Sequence, residues 1–195
     1  MLYQSPAQGC AITQACDNMK HLLLFSSMTV GCTLMFVQNT PKLLWNVSAS
    51  APIGLYFLHA PEALHKYDLV AVRPSIHHAQ FLEERQFLAK GALLLKHVAA
   101  LPGSRICRLG KHILIDGRNV ASAQRNDHLG RMLPVWKGCK TLSPDEIFLL
   151  NPKPDSFDSR YFGPFQKQSI VGQARALWIN NDPISSQKIH TRFTP

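Results

Sequence analysis

Acidic residues are scarce in this chain of 195 residues, since 12 Asp and Glu stand against 21 Lys and Arg and leave a formal net charge of +9. Such a surplus favours an anionic partner: nucleic acid, an anionic membrane surface or an acidic protein. Charged residues make up only 17% of the chain and hydrophobic residues 46%, which excludes global disorder. The 13 prolines and 11 glycines follow no period, which excludes a collagen-like or coiled-coil chain. The length suits one domain with room for a membrane anchor.

Cysteine pairs of the CxxC type are also missing. The five cysteines are Cys10, Cys16, Cys32, Cys107 and Cys139. Their spacing gives no support for a zinc ribbon or a thioredoxin-like site. The nine histidines show no usual zinc-ligand spacing, so we expect neither a metal ion nor a cofactor. Cys107 and Cys139 lie far from the other three, and they could form a disulfide in an oxidising compartment or remain thiols in a reducing one.

Charge is nearly absent from the first forty residues, where only Asp17 and Lys20 carry one. Residues 22–37 form an uncharged run of sixteen residues, LLLFSSMTVGCTLMFV. As a helix this run spans about 24 Å, and polar flanks can extend it towards the roughly 30 Å of a bilayer core. We predict a signal-anchor transmembrane helix at residues 22–39, after an N-terminal segment at residues 1–21. A cleaved signal peptide and a buried core helix are the alternatives.

Downstream of residue 40 the chain is dominated by short predicted strands. These strands cover residues 55–58, 67–72, 92–98, 113–115, 118–120, 147–150 and 169–174. Asp116-Gly117 suits the type I′ turn of a hairpin. A helix is predicted at residues 79–90, with Gly91 as its end, because four apolar residues recur at helical spacing. There are no internal repeats, and we expect the polar tail after Asn180 to be loosely held.

Two segments contain candidate catalytic residues. Ser48 and Ser50 lie in the small-residue stretch at residues 46–56, where backbone amides can approach a ligand; the alternative is a flexible linker. Lys96 is the lone cation of an apolar run at residues 93–103. Burial would lower its pKa from about 10.4 and produce a neutral general base. The alternative places Lys96 on the solvent face of an edge strand.

A third segment, residues 155–164, alternates hydroxyl groups, carboxylates and an arginine between a proline and a glycine. An ion pair between Asp158 and Arg160 would contribute little if this segment were a surface turn. The same residues could instead surround and orient a catalytic amine.

The order of these segments along the chain is more informative than any one of them. A serine after a hydrophobic run, a lysine that opens K-x-x-x-x-L-P-G, and then S-x-D-S-R-Y-x-G resemble the signal peptidase I superfamily. The variants SAPIGLY and PDSFDSRYFGP are similar to its TraF-type branch, the conjugative-transfer peptidases that mature pilin subunits. The resemblance covers residues 46–178 and the preceding anchor.

The resemblance implies a mainly β, signal-peptidase-like coiled-sheet catalytic domain at residues 40–195, with an inserted β subdomain at residues 104–145. It implies that Ser50 is the nucleophile and Lys96 the general base of a Ser–Lys dyad. The supporting residues that it implies are Ser48 as an oxyanion donor, Ser156 as a partner of the lysine amine, and the stiffening pair Asp158 and Arg160. Many relatives have methionine after the nucleophile, whereas this chain has Ala51, so the local pocket wall is expected to differ.

The predicted function is that of a membrane-anchored serine endopeptidase. By resemblance, its partners are the lipid bilayer and a pilin precursor or another membrane-inserted precursor. Its location would be the bacterial inner membrane, with one transmembrane pass and a periplasmic catalytic domain, where Cys107 and Cys139 should form a disulfide. A general type I signal peptidase is the nearest alternative.

The sequence is also compatible with two functions other than precursor processing. A basic, membrane-anchored nucleic-acid-binding protein of a transfer apparatus would explain the charge. However, the basic residues are scattered and no stacking-aromatic motif accompanies them, so we expect no nucleic acid as partner. A self-cleaving repressor with a similar Ser–Lys core would need a DNA-binding amino terminus, which is not evident here.

Overall fold

The computed structural model describes residues 43–180, which form two antiparallel sheets. The larger sheet contains β1 (Leu43–Asn46), β2 (Gly54–His59), β3 (Leu69–Val72), β4 (Leu94–Ala100), β9 (Glu146–Leu150), β10 (Phe165–Gln166) and β11 (Ile170–Ile179). The smaller sheet contains β5 (Arg105–Leu109), β6 (His112–Ile115), β7 (Arg118–Ser122) and β8 (Gly138–Thr141). The helices are α1 (Ile76–Glu84) and α2 (Ser159–Phe162), and a 3₁₀ turn follows at Lys167–Ser169. The prediction of a mainly β chain is therefore confirmed.

The strand order places β4 inside the larger sheet. That order is β1-β2-β11-β3-β4-β9-β10, so β4 is hydrogen-bonded to β3 on one side and to β9 on the other. The smaller sheet has the order β7-β6-β5-β8, and in the chain it lies between β4 and β9, within the predicted insertion at residues 104–145.

Buried side chains on both faces of β4 and β9 explain why these strands form the centre of the molecule. On one face Val98 and Leu149 pack with Leu82 of α1, and on the other Phe148 packs with Ile106 and Ile113 of the smaller sheet. Each such side chain contributes about 1.5–3 kcal/mol through burial. The two sheets therefore share a core around β9.

The hairpin prediction is confirmed, since β6 and β7 pair across Asp116 and Gly117, whose φ angles of 50° and 81° match a type I′ turn. All seven predicted strands are present, but their bounds differ from prediction: for example, β3 starts at residue 69, β4 covers residues 94–100, and β11 continues to residue 179. The late start of β3 follows from Tyr67, whose φ of 78° is incompatible with a strand.

The helix predicted at residues 79–90 is present, but it covers Ile76–Glu84, so its predicted bounds were wrong. Helix α1 begins after Ser75, whose hydroxyl accepts a hydrogen bond from the His78 N–H at 3.3 Å, and Arg85 is the capping residue after its last residue, Glu84. Gln86 follows with a φ of 61°, so Gly91 plays no part in ending the helix. Phe87 and Leu88 pack against the core from irregular chain, which explains why their spacing resembled a helix.

The predicted anchor at residues 22–39 and the tail after residue 180 lie outside the described residues. Within residues 43–180, no helix is long and apolar enough to cross a membrane.

Candidate active site

The loop between β1 and β2 is shaped by one buried side chain, that of Asn46. Its Nδ2 donates to the carbonyl oxygens of Ser48 at 3.0 Å, Ala51 at 3.2 Å and Pro52 at 2.9 Å. Its Oδ1 accepts from the Ser48 N–H at 3.0 Å. The Tyr56 hydroxyl also donates to the Pro52 carbonyl, at 2.7 Å. Hydrogen bonds therefore fix the conformation of this loop, and the alternative of a flexible linker is wrong.

Two serine hydroxyls meet on this loop. The Oγ atoms of Ser48 and Ser50 lie 2.9 Å apart, and the Ser50 N–H donates to Ser48 Oγ at 3.3 Å. Ser48 is exposed and Ser50 half-buried, so both hydroxyls remain open to a ligand. A carbonyl oxygen that arrived here would meet a hydroxyl and a backbone amide as donors.

Lys96 occupies the middle of β4 with only 2% of its surface exposed. Its Nζ donates to Ser50 Oγ at 3.2 Å and to Ser156 Oγ at 2.9 Å. The alternative of a solvent-facing lysine on an edge strand is wrong, because β4 is an interior strand. Burial lowers the pKa of Lys96 to about 8, although the negative charge of Asp158 opposes this shift.

Asp158 and Arg160 form a buried ion pair behind the lysine. Asp158 Oδ1 accepts from Arg160 Nε at 2.8 Å and Oδ2 from a terminal guanidinium nitrogen at 3.0 Å. The carboxylate also caps α2 by accepting from the Arg160 N–H at 3.1 Å. Asp158 is 0% and Arg160 2% exposed, so the surface-turn interpretation of this segment is wrong. Arg160 reaches on to the Pro154 carbonyl at 3.1 Å and so stiffens the chain that carries Ser156.

The structure therefore brings together all six residues that the sequence singled out. Four further contributors were missed: Asn46, and three residues that hold the site from behind. Asn151 bonds to β4, Arg108 of the smaller sheet donates to the Arg160 carbonyl at 2.6 Å, and Trp136 Nε1 donates to the Ser159 carbonyl at 3.0 Å. Asn46 and Asn151 lie at the ends of strands, where asparagine is typical of a turn, so the sequence does mark these two positions. Nothing in the sequence distinguishes Arg108 from the other arginines.

A cleft of about 580 Å³ opens in front of the serines. It is lined by Asn46, Ser48, Ala49, Ser50, Leu82, Phe87, Leu88, Leu93, Leu94, Leu95, Lys96, Gln124, Asn126, Asp127, His128, Leu133, Lys153, Asp155, Ser156, Phe157 and Tyr161. Its far wall includes a loop that Asp127 braces by pairing with Arg131 at 2.7 Å and with Arg85 at 3.4 Å. The cleft is large enough for several residues of an extended peptide.

A disulfide joins Cys107 and Cys139, which face each other across β5 and β8. This is the pairing that the resemblance led us to expect. Among residues 43–180, no cluster of three or more histidine, cysteine or acidic side chains could hold a metal ion.

The chain matches known proteins over most of its length. Residues 16–179 match the family model described as signal peptidase, peptidase S26. The conjugal transfer protein TraF of Agrobacterium fabrum is 34% identical over 145 residues, which cover 68% of this chain and 80% of that protein. The conjugal transfer protein TraF of Agrobacterium tumefaciens is 36% identical over 146 residues. The plasmid transfer protein TraF of Escherichia coli is 28% identical over 143 residues. Each match covers 68% of this chain and 80% of the relative.

A crystal structure of a signal peptidase I from Enterococcus faecalis aligns with a TM-score of 0.35 and 20% identity, covering 57% of this chain and 97% of that one. The family assignment depends on the sequence matches, and the family model covers the serine loop, β4 and the segment with Asp158. The chain belongs to the signal peptidase family, peptidase S26, which implies a serine peptidase.

Proposed function

We propose that the chain is a membrane-anchored serine endopeptidase in which Ser50 is the nucleophile and Lys96 the general base. One observation carries the proposal: a buried lysine amine lies within hydrogen-bond distance, 3.2 Å, of a serine hydroxyl that faces a cleft. A Ser–Lys dyad is a known variant of nucleophilic hydrolysis. It needs a lysine that loses its proton near neutral pH, and the lowered pKa of about 8 for Lys96 meets this need.

In the first step, neutral Lys96 takes the Ser50 proton while Ser50 Oγ attacks the substrate carbonyl carbon. The oxygen of the tetrahedral intermediate becomes negative, and the Ser50 N–H and the Ser48 hydroxyl are the donors closest to it. One such donor contributes roughly 3–4 kcal/mol of transition-state stabilisation. The Ser48 hydroxyl must turn from Ser50 towards the substrate, which rotation about one side-chain bond allows.

In the second step, the ammonium of Lys96 gives its proton to the leaving amine and the peptide bond breaks, which leaves an acyl ester on Ser50. Water then attacks this ester with Lys96 again as base, and Ser50 is released. Throughout the cycle, Ser156 Oγ at 2.9 Å keeps the amine directed towards Ser50. The buried pair of Asp158 and Arg160 holds the segment that carries Ser156.

We propose that the substrate is a pilin precursor or another membrane-inserted precursor in conjugative transfer. The relatives named for conjugal or plasmid transfer support this assignment, because each is matched over 68% of this chain. By resemblance, small residues are expected before the scissile bond. The alternative function is that of a general signal peptidase, which removes leader peptides from many exported proteins. Co-expression with a precursor distinguishes the two.

An exposed apolar face next to the serine loop supports the proposed contact with a bilayer. The face consists of Leu43, Trp45, Val47, Phe57 and Trp178, with exposures of 57%, 55%, 74%, 38% and 53%. The two tryptophan rings are stacked with their centroids 5.6 Å apart. Tryptophan is enriched at membrane interfaces. Because Val47 directly precedes Ser48, a bilayer against this face would lie beside the nucleophile. The uncharged run at residues 22–37 ends just before this face in the chain.

Flotation with anionic liposomes of a form that lacks residues 1–42 tests this contact, because the predicted anchor would insert the full chain whether or not the apolar face binds lipid. Exchange of both tryptophans for serine should reduce the bound fraction, whereas exchange of the exposed Lys111 for serine should not. Equal flotation of all three proteins in a form that lacks residues 1–42 would show that the apolar face does not bind lipid.

The proposed function is tested by co-expression with a pilin precursor and intact-mass spectrometry of the product. Ser50→Ala and Lys96→Ala should abolish processing, while the exposed controls Ser122→Ala and Lys111→Ala should retain it. Processing by Ser50→Ala at the wild-type rate would refute the assignment of the nucleophile. If the wild type leaves the pilin intact but trims a secretory precursor, the substrate is that of a general signal peptidase.

A further inference from the structure

Asn151 occupies the point where β9 ends beside β4. The last paired residues of these strands are Leu150 and His97. One position on, the Asn151 carboxamide replaces the missing strand, since Nδ2 donates to the Leu95 carbonyl at 2.9 Å and Oδ1 accepts from the His97 N–H at 3.2 Å. The bonded groups belong to the residues on either side of Lys96. One side chain therefore fixes the main chain on both sides of the proposed base.

The main chain of Asn151 points the other way, to the buried ion pair. Its N–H donates to Asp158 Oδ2 at 3.0 Å, and its carbonyl accepts from the Arg160 guanidinium at 2.5 Å. Asn151 is only 2% exposed, so these bonds are shielded from bulk solvent. The residue thus joins the strand that carries the amine to the pair that braces Ser156.

We propose that Asn151 is a positioning residue, which sets the location of the Lys96 amine relative to Ser50 and Ser156 by tying β4 to the Asp158–Arg160 pair. The inference rests on the proposed function, in which Lys96 is the base. The amine is at the end of a four-carbon side chain, so a small shift of β4 changes both of its contacts, at 3.2 and 2.9 Å. Misplacement by about 1 Å can reduce a catalytic rate by about a hundredfold.

Two substitutions separate positioning from general support of the fold. Asn151→Leu keeps the size but removes all three side-chain hydrogen bonds, including the one between Oδ1 and His97 Nδ1 at 3.0 Å. Asn151→Asp keeps the acceptor for His97 but loses the donor to Leu95. The charged groups around Lys96 are Asp155, Asp158 and Arg160, and His97 is its neighbour in the strand. The new carboxylate would add a negative charge to this set. Asn119→Leu and Asn119→Asp are matched controls, because Asn119 is exposed on β7.

The first measurement is the titration of Lys96 by carbon NMR in the full chain in detergent micelles, with lysine labelled at Cε and the signal assigned by its loss in Lys96→Ala. Looser packing admits water, and a carboxylate attracts the ammonium, so both Asn151 variants should raise the titration midpoint by about one pH unit or more. The Asn119 variants should titrate like the wild type. This measurement needs no catalysis.

The second measurement is the cleavage of a peptide by the same proteins. Asn151→Leu and Asn151→Asp should lower kcat about tenfold or more with a much smaller change in KM, because the substrate contacts are intact. Folding is checked by near-UV circular dichroism, and Asn151→Asp serves if Asn151→Leu does not fold. A folded Asn151 variant with the wild-type midpoint and the wild-type kcat would overturn the inference. If even the wild type cleaves nothing but the midpoint moves only in the Asn151 variants, the proposed function fails while the placement of the amine by Asn151 stands.

Discussion

The pH dependence of peptide cleavage is the sharpest consequence of the burial of Lys96. Only the neutral amine can accept the Ser50 proton, and burial places its pKa at about 8. A base with this pKa is neutral in about a tenth of the molecules at pH 7 and about nine tenths at pH 9. We therefore expect kcat/KM to rise about tenfold between these pH values, with a midpoint at about 8.

The size of this effect follows from the surroundings of the amine. A shift from about 10.4 to about 8 corresponds to roughly 3 kcal/mol of differential destabilisation of the charged form. Desolvation supplies it, because Lys96 is 2% exposed and lies on an interior strand, and it outweighs the attraction of Asp158. An ordinary lysine would be neutral in roughly 0.04% of molecules at pH 7, so burial raises the active fraction a few hundredfold.

The assay follows cleavage of an internally quenched peptide by the full chain in detergent micelles, from about pH 6 to about pH 10. Lys96→Arg is the control, since a guanidinium stays protonated throughout and should leave no activity at any pH. A midpoint at pH 10 or above would refute the argument from burial. Wild-type activity in Lys96→Arg would refute the role of Lys96 itself.

The other predictions concern single side chains. Ser48→Ala should lower kcat about 10²–10³-fold with little change in KM, because it removes an oxyanion donor. Steady-state kinetics test this, and an unchanged kcat would exclude Ser48 from that role. Lys96→Met should raise the free energy of unfolding at pH 7 by up to roughly 3 kcal/mol, because below pH 8 the folded wild type must bury a charged amine. This gain should disappear as the pH rises from about 8 to about 10.4, and urea titrations at both ends of this range test it. Arg160→Ala should lower the free energy of unfolding by about 3–5 kcal/mol because it leaves a buried carboxylate unpaired, and a loss below 1 kcal/mol in urea titration would contradict that. Replacement of Cys107 and Cys139 by serine should lower the free energy of unfolding by about 2–4 kcal/mol, measured against the oxidised wild type, and equal stabilities would show that the bond adds nothing.

Features set by neighbouring residues in the sequence were predictable. The hairpin at residues 112–122 depends on Asp116-Gly117 alone, and both residues take the backbone angles that this pair favours. The need for glycine at position 54 is different, because a Cβ atom there would lie 2.1 Å from the carbonyl oxygen of Trp178, which is distant in the sequence. The helix α1 was predicted, but its end was placed too late, because Phe87 and Leu88 pack against the core from outside the helix.

Contacts between distant parts of the chain were beyond prediction from the residues themselves. Lys96 bonds to Ser50 and Ser156, which are 46 and 60 positions away, so the grouping was proposed from the order of the motifs and not from any local signal. Asn46 and Asn151 look like ordinary turn residues until the fold brings carbonyl and amide groups to their side chains. A buried polar network is specified by the fold that surrounds it.

The smaller sheet contributes to the site although none of the six residues predicted for it belongs to that sheet. Arg108 on β5 and Trp136 just before β8 donate to two successive carbonyls of α2, those of Arg160 and Ser159. These carbonyls lie at the end of the segment that carries Ser156, so the smaller sheet closes the network from behind while the cleft remains open in front. Arg108 is 4% exposed and donates to carbonyl oxygens, so α2 is difficult to move without removing a hydrogen-bond acceptor from a buried guanidinium. A lysine that must be both desolvated and aimed needs such rigid support, because water that entered behind it would restore its ordinary pKa.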